Sequence, residues 1–199
     1  MSLSAPHLAE KGYAICNLDY PSRSAPIATL AEGVSERLQA EKAEAYAKLH
    51  FVTHSMGGLV VRQLVKDFRP DNLGRVVMLA PPNQGSEVAD FLGDFALFKR
   101  IYGPAGQDLR TGNSNFGPVD FPLGVIAGTK SIDPISSLML PGPNDGKVTV
   151  ESTKVAGMTD HVVLPVNHTF LMRDARVLKQ IEAFLDRGSF TSVGSESRT

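Results

Sequence analysis

Short apolar runs alternate along the chain with stretches whose apolar residues recur at helical spacing. Runs of five or six mainly apolar residues predict strands that are buried on both faces, since such strands lack a polar face. Five of these runs occur, at residues 13–18, 50–54, 75–79, 123–127 and 162–166. The pattern therefore predicts a sheet that is covered on both sides.

The stretches between the runs predict the covering helices. Residues 27–49 carry apolar side chains at helical spacing, namely Ile27, Leu30, Ala31, Val34 and Leu38. A second helix follows residue 54 and ends before Pro70, and a terminal helix is predicted over residues 170–185. Strands that alternate with helices predict an α/β fold with a mostly parallel sheet and helices on both faces.

Length and composition predict one globular domain. The chain has 199 residues, of which 42% are hydrophobic and 21% charged, enough for a sizeable core. The domain is predicted to span residues 1–187, with an insertion at about 83–121 that interrupts the alternation of strands and helices. Residues 188–199 are small and polar without periodicity, which predicts a disordered tail.

The most specific pattern is a serine at a predicted strand-to-helix turn. The residues around this turn are Thr53, His54, Ser55, Met56 and Gly57. A sharp turn of this kind exposes the serine hydroxyl and aims the following amides at a reaction partner, as in a nucleophile elbow. Ser55 is therefore the candidate nucleophile, although Thr53 is bulkier than the glycine usual at its position.

These residues resemble the α/β-hydrolase superfamily, specifically its lipase-like and esterase-like members. The resemblance runs along nearly the whole chain and includes LDYPS at 18–22, APPNQGS at 80–86, NDGKV at 144–148 and VNH at 166–168. The motifs follow the order serine, aspartate, histidine that this superfamily uses. The resemblance implies an α/β-hydrolase fold. It also implies a cap over an acyl pocket at 83–121, with packing of this insertion on the sheet as the alternative.

A serine nucleophile needs a base, and a carboxylate that orients the base. His168 follows the last predicted strand and lies at the edge where open parallel sheets bind ligands, so it is the predicted base. Asp145 lies in a turn-rich segment where these hydrolases place their acid, and it is the favoured carboxylate over the alternative Asp133. His54 is predicted to point elsewhere. This chemistry implies neither a metal nor a cofactor.

Acyl transfer also needs hydrogen-bond donors for the developing oxyanion, and the amide of Met56 is the predicted first donor. In relatives, the second donor follows a strand that lies between the strands corresponding to residues 13–18 and 50–54. That strand has no counterpart in this sequence, and residues 3–11 look like the end of the helix that follows it. The sequence therefore predicts a family member that lacks the N-terminal strands.

Loss of this strand predicts a slot in the sheet. Open ladder positions cost hydrogen bonds and expose apolar surface, so we expect instability or aggregation unless another segment or a second chain fills the slot. The alternative is that residues 13–18 are the edge strand of a minimal sheet.

Charge and hydropathy argue against other kinds of partner. Twenty basic and 21 acidic residues leave a formal net charge of -1, which predicts no binding of nucleic acid or of anionic membranes. No apolar run reaches membrane-spanning length, and residues 1–11 lack the pattern of a signal peptide. The chain as given is expected to be cytoplasmic, with an export signal further upstream as the alternative. The single cysteine, Cys16, is predicted to be a packed thiol.

The sequence thus predicts a serine hydrolase of carboxylic esters that acts on a small-molecule ester or lipid through an acyl-enzyme on Ser55. Thioesterases, acyltransferases and peptidases use the same three residue types. A second hypothesis is a hydrolase-fold fragment whose catalysis is weakened by the incomplete oxyanion hole. The least supported one makes Ser55 the N-cap of a helix in a non-enzymatic domain. The pattern predicts no particular oligomeric state.

Overall fold

The computed structural model describes residues 4–18, 25–84, 116–132, 137 and 140–192. Within these residues, one sheet of four strands is formed, in chain order, by β1 (Leu49–His54), β2 (Leu73–Leu79), β3 (Leu123–Gly128) and β4 (Asp160–Leu164). Each strand pairs in parallel with the next, so the chain returns to the same end of the sheet before each strand. The carboxyl ends of all four strands therefore meet at one edge.

The described helices are α1 (Ser4–Glu10), α2 (Ile27–Ala40), α3 (Gly57–Phe68) and α4 (Ala175–Arg187), with short 3-10 turns at Ala43–Ala45 and Glu151–Thr153. The terminal helix α4 begins later than the predicted residue 170. Asp174 caps it by accepting a hydrogen bond from the amide of Arg176, and Gly188 ends it in the left-handed conformation at φ 79°.

Helices cover both faces of the sheet, as the apolar pattern predicts. On one face, α2 and α3 share a core with the β2 and β3 side chains Val76, Met78, Leu123 and Val125. On the other face, Leu8 of α1 and several α4 residues pack with Val77, Leu79 and Ile126. Successive side chains of β2 point to opposite layers, which explains why this strand reads as a continuous apolar run.

The strand predicted at residues 13–18 is not formed. These residues have no regular secondary structure and make no backbone hydrogen bond to the described sheet. A cavity of about 480 Å³ lies between them and β1, and its lining includes every residue of both stretches. Without a backbone at pairing distance, an apolar run cannot complete a ladder. Cys16 is consequently exposed rather than packed.

The segment predicted to be a disordered tail starts with residues that pack on the domain. The ring of Phe190 lies 5.0 Å from that of Phe184, and its amide donates to Asp160. Thr191 exchanges two hydrogen bonds with the Gln180 side chain. Residues 188–192 are thus ordered, contrary to the prediction, because the aromatic ring at 190 supplies an anchor that the polar composition conceals. Residues 193–199 lie outside the described part of the chain.

Candidate active site

Ser55 lies in the turn between β1 and α3, with φ at 54°, a value that residues other than glycine rarely adopt. Its amide donates a 2.8 Å hydrogen bond to the carbonyl of Leu79, which anchors the turn to β2. The helix approaches the sheet closely here, since a methyl group at Gly58 would lie 3.0 Å from the Met78 sulfur and from Pro81. The backbone therefore has the sharp strand-to-helix geometry of a nucleophile elbow.

The side chains of Asp145 and His168 form a buried hydrogen-bonded pair. The Oδ2 atom of Asp145 lies 2.7 Å from Nδ1 of His168, and both side chains are at least 95% inaccessible to solvent. The two residues also touch through their backbones, because the amide of His168 donates to the carbonyl of Asp145 at 3.0 Å. This double contact fixes the position of the imidazole and makes its Nε2 the free ring nitrogen.

The turn after residue 143 holds the carboxylate of Asp145 in place. Its Oδ1 accepts hydrogen bonds from the amides of Lys147 and Val148, at 3.0 and 2.8 Å. The preceding Asn144 is buried and ties the turn together through its side chain, which bonds Ser137, Gly142 and Gly146. All of the carboxylate's partners are thus donors, as an orienting acid requires.

Gly128 at the end of β3 makes room for this turn. A methyl group there would lie 2.8 Å from the Cβ of Asp145 and would collide with the carbonyl of Val166. The absence of a side chain at Gly128 therefore lets the Asp145 turn and the chain leading to His168 come together. The sequence offered no sign of this requirement, because the glycine also fits a strand end.

His54 contacts the predicted base, a role that the sequence reasoning missed. Its Nε2 lies 3.0 Å from the carbonyl oxygen of His168, and the two imidazole rings are 4.6 Å apart between centroids. Only a protonated ring nitrogen can donate to a carbonyl, so Nε2 carries the hydrogen. Burial, assisted by the neighbouring His168, lowers the pKa of His54 to about 4, so the ring is neutral at pH 7.

The contact between His54 and His168 places the loop that carries His168 beside the residue that precedes Ser55. None of the hydrogen bonds among the described residues joins the Ser55 hydroxyl to His168. Such bonds often tighten only when substrate is bound. The amide of Met56 lies next to Ser55 at the start of α3 and donates to no other backbone group of the described chain. The structure thus brings Ser55, Met56, Asp145 and His168 to one edge of the sheet.

The rival carboxylate Asp133 and most of the predicted insertion, residues 85–115, lie outside the described residues. Both ends of that insertion are anchored by Arg62 of α3. Its guanidinium donates to the backbone carbonyl and the side-chain oxygen of Asn83 at 3.1 Å, and to the carbonyl of Gly117 at 2.6 Å. Burial lowers the pKa of Arg62 to about 10, so the side chain remains charged at neutral pH.

In the described residues, no group of three or more His, Cys, Asp or Glu side chains is arranged to hold a metal ion. Likewise, no helix in this part of the chain is long and apolar enough to cross a membrane.

Solved structures with the same architecture include lipases and other α/β hydrolases. The mature form of lipase BlEst2 from Bacillus licheniformis superposes with a TM-score of 0.71 at 18% identity, over 91% of this chain and 81% of that one. Phospholipase PlaB from Legionella pneumophila gives 0.68 at 17% identity, over 84% and 49%. MGS-MChE2, an α/β hydrolase from a lagoon-sediment metagenome, gives 0.60 at 18%, over 94% and 87%.

The chain therefore has the α/β-hydrolase fold. No protein-family model matches it, and no curated protein matches it by sequence. It spans about four-fifths of the mature lipase but only 47% of the propeptide form of that lipase and 49% of the phospholipase.

Proposed function

We propose that the chain is a serine hydrolase of carboxylic esters, with Ser55 as nucleophile, His168 as base and Asp145 as the orienting carboxylate. His168 Nε2 takes the proton of the Ser55 hydroxyl as the oxygen attacks the ester carbonyl. The amide of Met56 donates to the oxyanion that forms. His168 then protonates the departing alcohol, and water hydrolyses the acyl-enzyme by the same route.

The observation that carries this proposal is the clamped Asp145–His168 pair beside the strained turn at Ser55. A carboxylate held by two backbone amides and bonded to Nδ1 selects the tautomer of the neutral ring that carries its hydrogen on Nδ1, which leaves Nε2 as the nitrogen that can accept a proton. A loop histidine with a purely structural role would need neither a carboxylate bonded to its ring nor the burial of that carboxylate. The structural likeness to a lipase and to other α/β hydrolases agrees with ester substrates.

A second candidate function is a hydrolase fold with weakened turnover. The cavity along β1, whose last residue is the neighbour of Ser55, favours this possibility because a second oxyanion donor is predicted to come from that side. Loss of one such donor typically lowers kcat by about a hundredfold to a thousandfold. Covalent labelling of Ser55 therefore persists under this hypothesis, whereas turnover is low.

The test compares the wild type with Ser55→Ala and with the control Ser35→Ala, a serine on α2 away from the turn. We expect a fluorophosphonate probe to label the wild type and Ser35→Ala and to leave Ser55→Ala unlabelled. Hydrolysis of p-nitrophenyl butyrate follows the same pattern, with a loss of at least about a thousandfold.

Labelling of Ser55→Ala at the wild-type rate would contradict the assignment of the nucleophile. Labelling of the wild type without measurable ester turnover would support the second candidate function, a hydrolase fold with weakened turnover. If the wild type hydrolyses a thioester as fast as an ester, the protein would be assigned to the broader class of acyl-transfer enzymes.

A further inference from the structure

The backbone of His168 is held by hydrogen bonds at both of its polar groups. Its amide donates to the carbonyl of Asp145 at 3.0 Å, and its carbonyl accepts from Nε2 of His54 at 3.0 Å. No other donor of the described chain bonds that carbonyl. Asp145 therefore fixes the amide and, through its carboxylate, the ring of His168, whereas His54 alone fixes the carbonyl.

His54 is itself held in the same frame as the proposed nucleophile. It is the last residue of β1, where it lies in register with Leu79 of β2. The amide of the next residue, Ser55, donates to the carbonyl of Leu79 at 2.8 Å. The side chain of His54 therefore connects the strand that ends at Ser55 to a loop 114 residues further along the chain.

The ring of His54 also packs against the ring of His168, with 4.6 Å between the centroids and 48° between the planes. The other titratable groups that face it are Asp145 and Lys147. Burial, more than these charges, lowers the pKa of His54 to about 4. At neutral pH the ring therefore places no positive charge beside His168 when that residue takes up the proton of Ser55.

We propose that His54 is a positioning residue whose hydrogen bond to the carbonyl of His168 sets the distance between the His168 ring and the hydroxyl of Ser55. This inference rests on the proposed function. A base acts only within hydrogen-bond reach of the proton that it removes, and a displacement of about 1 Å can cost about a hundredfold in rate. His54 is not a second base, because its Nε2 donates to the carbonyl and so carries a hydrogen.

Two amide substitutions separate the hydrogen bond from the other properties of His54. The nitrogen of His54→Gln is the same number of bonds from Cβ as Nε2 and can still donate to the carbonyl. The nitrogen of His54→Asn is one bond nearer to Cβ and falls short. For p-nitrophenyl butyrate, we expect His54→Asn to lower kcat about ten- to a hundredfold with KM changed less than about twofold, and His54→Gln to stay within about threefold of the wild type.

The matched control is His161→Asn, which removes another half-buried histidine that bonds a single neighbour, Thr153, at 3.0 Å. We expect this variant to be less stable but to keep kcat within about twofold of the wild type, because His161 lies at the start of β4. All rates are measured on folded protein and divided by the concentration of Ser55 that a fluorophosphonate probe labels at completion.

The leaving group supplies a readout that a purely structural role would not change. A displaced His168 is a poor acid as well as a poor base, and ethoxide needs its proton, whereas p-nitrophenolate departs without one. In His54→Asn, the loss in kcat/KM should therefore be about tenfold larger for ethyl butyrate than for p-nitrophenyl butyrate. In His161→Asn, the two esters should be affected equally.

The outcomes distinguish this inference from the proposed function. Wild-type kcat in His54→Asn, or equal losses in the asparagine and glutamine variants, would overturn the positioning role and leave the proposed function intact. Equal losses for the two esters in His54→Asn would restrict His54 to the stability of the loop and would also overturn the role. If the wild type is neither labelled at Ser55 nor active on either ester, the proposed function fails, and the positioning role of His54 fails with it.

Discussion

The two sides of Ser55 differ sharply in how completely their polar groups are bonded. On the side of β3 and β4, Asp145 is buried and its carboxylate accepts three hydrogen bonds, one of them from His168. On the other side, β1 faces a cavity, and the hydroxyl of Thr53 is buried without a partner. The proposed acid and base are therefore held in contact although the sheet is open beside Ser55.

This difference follows from the range of the contacts that build each side. The Asp145 turn is stabilised largely by neighbours within seven residues, and its partner His168 lies 23 residues further along the chain. The edge of β1, in contrast, can be completed only by a backbone from another part of the sequence or from another molecule. Assembly of the acid–base pair thus does not require completion of the sheet.

The largest effect is expected from Asp145→Asn, which disrupts the hydrogen bonds on the side of β3 and β4. If the side-chain oxygen keeps the amides of Lys147 and Val148, the new amide nitrogen faces Nδ1 of His168 and donates to it. This selects the wrong tautomer of His168, so kcat for p-nitrophenyl butyrate should fall on the order of a thousandfold or more. Asp160→Asn, which alters a carboxylate at the opposite end of β4, is the control and should retain activity. A loss with Asp133→Asn in place of Asp145→Asn would transfer the role to the rival carboxylate.

The second effect concerns the link between the two sides, which is His54. Its pKa is lowered from 6.5 to about 4, so below pH 6.5 the unfolded chain takes up a proton that the folded chain does not. Stability should therefore fall between about pH 6.5 and 4, by up to about 3 kcal/mol from this group. His54→Gln keeps a donor for the His168 carbonyl but does not titrate. Urea unfolding should show that this variant loses less unfolding free energy than the wild type as the pH falls. Identical pH profiles of the two proteins would contradict the lowered pKa of His54.

A smaller loss should result from overpacking the bonded side with Gly128→Ala. The added methyl group would displace the Asp145 turn or Val166, which we expect to cost about 2 kcal/mol of unfolding free energy and to lower kcat. The matched control is Gly33→Ala in α2, where a methyl group meets no atom within 4 Å. That variant should gain about 0.5 to 1 kcal/mol, because alanine favours the helix. Equal stability of the two variants would contradict the close contact.

The sequence predicted the elements whose evidence is local. Four of five strands and the helix after Ser55 follow apolar periodicity, and the positions of Asp145 and His168 follow from the order of the strands that precede them. The stretch 13–18 has the same apolar character but forms no strand, because pairing depends on a neighbour that periodicity cannot reveal. The roles of His54 and Gly128 were hidden for a related reason. Both depend on contacts across more than 30 residues, to His168 in one case and to Val166 in the other.

The smallest predicted effect compares the stability changes from two threonine-to-valine substitutions, Thr53→Val beside the cavity and Thr153→Val away from it. Thr53→Val removes the hydroxyl that has no partner and should raise the unfolding free energy by about 1 kcal/mol, since valine has nearly the same shape. Thr153 is buried and its hydroxyl bonds both the carbonyl of Val150 and His161, so Thr153→Val should lower stability by about 1 to 2 kcal/mol. Urea unfolding at pH 7 measures both. A loss of stability of the same size in both variants would contradict the difference between the two hydroxyl groups.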